Sequence, residues 1–343
     1  MNPTQISSTI RQGIADRVFP GAVAYIVEGG NLSYYEAFGN RMIEPDVKPM
    51  HRGTIFDIAS LTKPMVISTL ALRLVASGDI ELRAPVRDCL PEFSHPEVTV
   101  HHLLTHTSGL PAWRPLYMET ESKDRAVKHL CRMPLEQPPG AKVEYSCLGY
   151  ILLGALIERA AGKPLDSLAD EQVFQPLAMS ETRYNPPESW IDRIAATEDS
   201  NSFEKRIADH RRYDWREGVN VGAVHDENAH YLGGVSGNAG LFSTAEDVSK
   251  YCRMIIGGGD GVLTENDVAQ MAAVATNGLN ELRSVGWIIL EDGSLYHTGF
   301  TGTSIRINLQ SRSFAVLLTN RVHPSAFGPS MVEFRAKFHQ EIF

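Results

Sequence analysis

Strand-like runs stand at both ends of this 343-residue chain, and helical spacing fills its middle. Near the N-terminus, AVAYIVE and NLSYYEAFG flank Gly29-Gly30, a dipeptide that supplies the positive φ angles of a tight hairpin. Near the C-terminus, Thr303–Leu309 alternates, with Ile305, Ile307 and Leu309 on one face, and Phe314–Leu318 is continuously apolar, as a strand covered on both sides would be. LQSRS turns between them, and Val285–Leu290 reads as a further strand just before. In the middle, Val66, Leu70 and Leu74 follow a helical period closed by Gly78. Leu148, Ile151, Leu152, Ala155, Leu156 and Arg159 do the same, with Ser146 as N-cap and Gly162 beyond the end. A sheet made from both termini must be antiparallel with the helices inserted, which is an α+β chain. The expected division is a sheet domain of residues 1–59 and 231–343 and a mainly helical domain of 60–230. The polar, aperiodic stretch at about 186–230 is expected to run over the surface.

Net charge is −9, which argues against a nucleic-acid or anionic-membrane partner. Apolar runs such as Leu148–Ile157 are too short to span a bilayer. The first residues have no apolar signal region, so a cytoplasmic location is expected. Cys89, Cys131, Cys147 and Cys252 are far apart without a C-x-x-C, the pattern of reduced thiols. No organic cofactor or metal is implied.

Ile55–Met65 reads IFDIASLTKPM and contains S-x-x-K at Ser60 and Lys63. Pro64 tolerates only the first turn of a helix, so the helix begins near Ser60 and sets the hydroxyl at its electropositive end. Lys63, at i+3, reaches the same face. A serine needs a base, and a lysine serves as one only if its pKa falls. A second S-x-x-K, Ser202 to Lys205, sits among Asp199, Glu204, Arg206 and Asp209 and reads as solvated surface. Tyr145 directly precedes the helix capped by Ser146 and could shuttle a proton beside a lysine. Alone, a tyrosine there is usually packing. His297-Thr298-Gly299-Phe300 precedes the alternating strand, where the Phe300 N–H could face an oxyanion together with the N–H of Ser60.

Together, in this order, these three elements make the chain resemble the serine β-lactamase and penicillin-binding-protein superfamily, within it the class C β-lactamase-like group that includes family VIII carboxylesterases and D-aminopeptidases. LLTHTSGLP, PPGAKVEYS and GGVSGNAGLFSTAEDVSKY extend the resemblance over nearly the whole chain. It implies a five-stranded antiparallel sheet flanked by helices with an inserted all-helical domain. It also implies an acyl-enzyme on Ser60, partnered by Lys63, with Tyr145 as general base, His297, Thr298 and Gly299 as the third motif, and an oxyanion hole from the Ser60 and Phe300 amides.

Two departures bear on the substrate. Cys147 stands where the β-lactamases have the asparagine of Tyr-x-Asn, and a thiol cannot replace a carboxamide. His297 replaces a lysine, and an imidazole is mostly neutral at pH 7. Both favour esterase-type hydrolysis of a small-molecule or short-peptide acyl substrate over amide or β-lactam hydrolysis. A D-aminopeptidase, a D,D-carboxypeptidase, a weak β-lactamase and a non-catalytic binding module are the alternatives. His101, His102 and His106 read as structural rather than metal-binding, and Cys147 as a small buried residue rather than a nucleophile. Asp226-Glu227 reads as a solvated loop with a smaller chance of a place at the pocket rim. Trp113, Tyr117 and Trp287 fit an acyl pocket or core packing equally.

Overall fold

The computed structural model describes residues 1–208 and 213–343. Helix α1 (Pro3–Ala15) leads into β1 (Gly21–Glu28) and β2 (Asn31–Met42). Gly29 and Gly30, at φ 56° and 84°, turn the chain in two residues, so that Glu28 faces Asn31. At the other end, β3 (Leu295–Thr298), β4 (Ser304–Asn308) and β5 (Ser313–Thr319) form a meander, and β5 pairs antiparallel with β1. The two termini thus share one sheet, ordered Lys48–Pro49, β2, β1, β5, β4, β3, Ile288–Ile289. Against the expected five strands, the sheet has seven among the described residues: five longer ones and a two-residue strand at each edge. Val285–Leu290 contributes only Ile288–Ile289, because Trp287 just before it turns wholly into the core.

Alternation along the central strands sends side chains to two apolar layers. Val23, Tyr25 and Val27 of β1, with Phe314, Val316 and Leu318 of β5, face the main core. Ala22, Ala24, Ile26, Ala315 and Leu317 face the second layer, where Ile6 and Ile10 of α1 meet Phe334 and Phe338 of α7 (Met331–Gln340). Each large apolar side chain buried this way contributes about 1.5–3 kcal/mol. Beneath the main face lie α2 (Thr69–Ser77), α3 (Cys147–Ala161) and α6 (Ala245–Ile256), whose buried residues are continuous with the strands'. Ser146 caps α3 by accepting from the Gly149 N–H at 3.1 Å, and Gly162 ends it at φ 67°.

The helix after Ser60 is not regular from its start. Ala59–Leu61 is a 3₁₀ turn, Lys63–Ser68 is π-helical, and only then does α2 begin. The run Ala59–Ser77 has the length and mean hydropathy of a membrane span, but 78% of its most apolar 18-residue window is buried inside the protein, as befits a core helix.

Residues 186–230 depart most from expectation. They contain the short helices α4 (Ser202–Ile207) and α5 (Glu227–Tyr231), and they bury charge instead of carrying it over the surface. Glu198, Glu204, His225 and Glu227 are all buried. Most of the polar groups pair with one another: His225 Nε2 lies 3.1 Å from Glu198, Asn201 donates to Glu227 at 2.5 Å, and Arg216 pairs with Glu227 at 2.8 Å, while Asn201 Oδ1 and Glu204 Oε2 have no partner among the described residues. The second S-x-x-K is therefore not solvated surface, since Glu204 inside it is buried and takes the Glu227 N–H at 2.9 Å. Asp209 lies outside the described residues.

Candidate active site

Ser60 is presented by a strained turn. Ala59, just before it, holds φ 49°, a left-handed conformation that non-glycine residues seldom adopt. The buried Asp57 carboxylate fixes it by accepting the Ala59 N–H at 2.8 Å and the His225 N–H at 2.7 Å. The third motif is tied to the same segment. Thr301 Oγ1 donates to the Asp57 carbonyl at 2.7 Å, and Thr303 Oγ1 to the Ile58 carbonyl at 3.1 Å. These two bonds bring the Phe300 amide beside the Ser60 turn. Among the described residues that amide has no acceptor.

The turn leaves no room for a larger Gly302. Its φ is 110°, and a β-carbon there would stand 1.9 Å from Thr319 Oγ1. Gly302→Ala is expected to cost about 1–2 kcal/mol from backbone strain and to shift Phe300. Urea unfolding checks this, and a variant as stable as the wild type would contradict it.

Lys63 is fully buried, and its ammonium spends its three donors on three acceptors. It meets Ser60 Oγ at 3.0 Å, Cys147 Sγ at 3.6 Å and the Asn238 carbonyl at 2.8 Å. A neutral amine could satisfy only two of them as a donor. Burial opposes the charge, yet Cys147, Tyr145 and Asp226 outweigh it and hold the Lys63 pKa above the ordinary lysine value. The lowered pKa that a lysine base requires is therefore not present in the resting site.

Tyr145 stands over this ammonium, with Lys63 Nζ 4.9 Å from its ring centre. Burial pushes the phenol up, while Lys63 and Ser60 beside it pull the other way. His106 braces it. The imidazole packs 4.5 Å from the Tyr145 ring, and its Nδ1 accepts the Ser146 N–H at 3.0 Å, fixing where α3 starts. That is the role of the LLTHTSGL loop. His102, in the short helix Val100–Leu104 just before it, closes a capping box with Thr99.

His297 is buried at the end of β3, and its Nδ1 lies 2.9 Å from the Thr298 carbonyl. A carbonyl only accepts, so Nδ1 carries the proton. Burial, followed by the charges of Arg283 and Lys63, holds the His297 pKa well below the ordinary histidine value, so the ring is neutral. Cys147 is half-buried at the start of α3 and faces the same space, with burial raising its pKa.

Ser60, Tyr145, Cys147, His297, Thr298, Gly299 and Phe300 all line one cavity of about 690 Å³. Trp113 lines it too. Tyr117 and Trp287 do not: Tyr117 is buried against Tyr213 and Trp215, and Trp287 lies in the core. Asp226 reaches the cavity wall while its Oδ1 caps α5 at the Ala229 N–H, 2.7 Å away. Glu227, by contrast, is wholly buried in the polar network.

Two contributors escaped sequence reasoning. Asn238, which holds Lys63 through its carbonyl, sits in the GGVSGNAGLFST stretch, where the small residues around it gave a usable signal. Arg283 is buried, lines the cavity and stands 5.4 Å from the Tyr145 ring centre. Its Nη1 has no hydrogen-bond partner among the described residues, and no pattern in the sequence marks it.

A family model described as Beta-lactamase matches residues 6–340. The chain belongs to the beta-lactamase family. The esterase EstB of Burkholderia gladioli is 31% identical, with 96% of this chain and 93% of the relative covered. The N-acetylmuramyl-L-alanine amidase of Bacillus subtilis (strain 168) is 30% identical over 91% of this chain and 79% of its own. Among solved structures, EstCE1, described as a hydrolase with promiscuous acyltransferase activity, superposes with a TM-score of 0.79 at 24% identity, covering 99% and 97% of the two chains. This beta-lactamase family member is thus a serine hydrolase on a β-lactamase/transpeptidase-like fold, with esterases and amidases both among its relatives.

Proposed function

We propose that the protein hydrolyses small acyl esters through an acyl-enzyme on Ser60. The observation that carries this reading is the 3.0 Å contact between Lys63 Nζ and Ser60 Oγ at the floor of the cavity, with Tyr145 above both. In the resting site Tyr145 is a neutral phenol. It acts as general base from its minor phenolate form, reached by losing the phenol proton to solvent through the open cavity and stabilised by the adjacent Lys63 ammonium. Ser60 Oγ attacks the ester carbonyl as its proton passes to Tyr145, and the carbonyl oxygen gains its charge facing the amides of Ser60 and Phe300. Tyr145 returns the proton to the departing alkoxide. Water then repeats the sequence, giving its proton to Tyr145 and its oxygen to the acyl carbon, and Ser60 is released.

Cys147 and neutral His297 support an ester over an amide, because neither supplies the carboxamide or cation that would hold an amide substrate. EstB, an esterase by name, agrees with this. One observation favours the second reading, an amide hydrolase of D-peptide or β-lactam type. The unpartnered Arg283 guanidinium nitrogen in the cavity wall suits a substrate carboxylate. Intact-mass measurement after treatment with a fluorophosphonate and, separately, with benzylpenicillin separates the readings. The expected result is one phosphonyl adduct on Ser60 and slow or no penicilloylation. Complete penicilloylation within the same time would put the amide reading first, and no adduct from either reagent would overturn both.

A further inference from the structure

Exposed apolar side chains gather at the mouth of the Ser60 cavity. Of the nine large ones that stand exposed among the described residues, Ile207, Phe300 and Val332 line the cavity, and Phe327 packs at a tilt against its lining residue Phe203. Scattered exposed apolar residues need no explanation, but a contiguous patch joined to a cavity marks a ligand surface. The rings of the patch pack on one another. Phe203 and Phe300 lie 4.9 Å apart between ring centres, and His225 stacks on Phe300 at 5.6 Å. The guanidinium of Arg321 backs Phe300 at 5.2 Å, and that of Arg206 backs Phe327 at 4.9 Å. These cations cover the rings on one side and leave Phe300 41% and Phe327 47% exposed.

The position is informative. The Phe300 ring belongs to the residue whose backbone amide faces the Ser60 turn, so a group resting on it is part of the same substrate that places its carbonyl there. We infer that Phe203, Ile207, Phe300, Phe327 and Val332 form a subsite for an aryl or medium-chain alkyl group of the substrate, carried on either the acyl or the alcohol side of the ester. This deepens the esterase reading and rests on it. It makes the preferred substrate an ester with an apolar arm long enough to leave the cavity floor and reach the mouth.

The test compares kcat/KM for p-nitrophenyl acetate, butyrate and octanoate, and for acetate esters of methanol, butanol and octanol, in the wild type and in F327S and V332S. In one of the two series the long-chain member is expected to exceed the short one by about tenfold, a fraction of the full transfer of its methylenes because the mouth is partly open. Which series shows it identifies the acyl or the alcohol side. In both variants the long-to-short ratio should fall about fivefold, a quantity that loss of folded enzyme does not move. Ratios near one in the wild type, or unchanged in both variants, would overturn the inference. If no ester is turned over, the esterase reading has failed, and calorimetry with 4-octylphenol on Ser60→Ala protein decides the subsite separately. Saturable binding weakened by F327S and V332S supports it, and absence of saturable binding overturns it.

Discussion

Replacing Lys63 with methionine is expected to slow acylation of Ser60 by about a thousandfold, within the range that a positioned proton-transfer partner contributes. Three groups lose their partner at once. Ser60 Oγ and the Cys147 thiol lose a donor, and the Asn238 carbonyl is left buried without one. The larger effect falls on Tyr145. Burial already holds its phenol neutral, and Lys63 is the first influence that pulls the other way. Without the ammonium the phenolate has no counter-charge, so the base disappears along with the lysine. Tyr145→Phe should therefore match the methionine variant, and the double variant should be little slower than either, because residues acting as a unit are not additive. Stopped-flow release of p-nitrophenol reads the acylation rate, and circular dichroism confirms the fold. A loss under tenfold in the single variants, or losses that multiply in the double one, would contradict this division of labour.

Acid should destabilise the protein through His339. It lies buried on α7 with Nε2 2.9 Å from Ser304 Oγ and Nδ1 unpartnered among the described residues. Burial, then the charges of Arg306 and Arg335, push its pKa down to about 3, against 6.5 for an ordinary histidine. The unfolded chain therefore takes up a proton below pH 6.5 while the folded chain refuses it. The stability that His339 contributes is complete above pH 6.5 and is lost as pH falls from there towards 3, at up to about 1.4 kcal/mol per pH unit. His339→Gln keeps a polar side chain without the titration. Between pH 7.5 and pH 4.5 the wild type should lose about 2–3 kcal/mol more than this variant in urea unfolding. Asp57 and Glu204 act in the opposite sense, because burial raises both pKa values and their stability grows as pH falls. They are common to both proteins and cancel in the comparison. Parallel losses in the two proteins would contradict the buried neutral imidazole.

What could be read from the sequence was what local spacing determines. The Gly29-Gly30 turn, the alternation around Ile305 and Ile307 and the cap at Ser146 each depend on neighbours within a few residues. The Ser60–Lys63 contact is of the same kind, separated by one helical turn. What could not be read depends on distant partners. Lys63 is held by a carbonyl 175 residues away, and the Ser60 turn is tied down by threonines more than 240 residues later. Residues 186–230 misled for a related reason. Composition reads Glu198, Glu204 and Glu227 as solvated, and only the fold shows that histidine, asparagine and arginine partners take Glu198 and Glu227 inside, and that Glu204 is buried on the Glu227 amide.

The central claim is that Ser60 carries the acyl group. Release of p-nitrophenol from p-nitrophenyl butyrate, followed from the first milliseconds in the wild type and in Ser60→Ala, tests it directly. The account predicts a burst of one equivalent per enzyme and then steady turnover, with both lost in the variant. Release of equal size in the two proteins, or in neither, would contradict it.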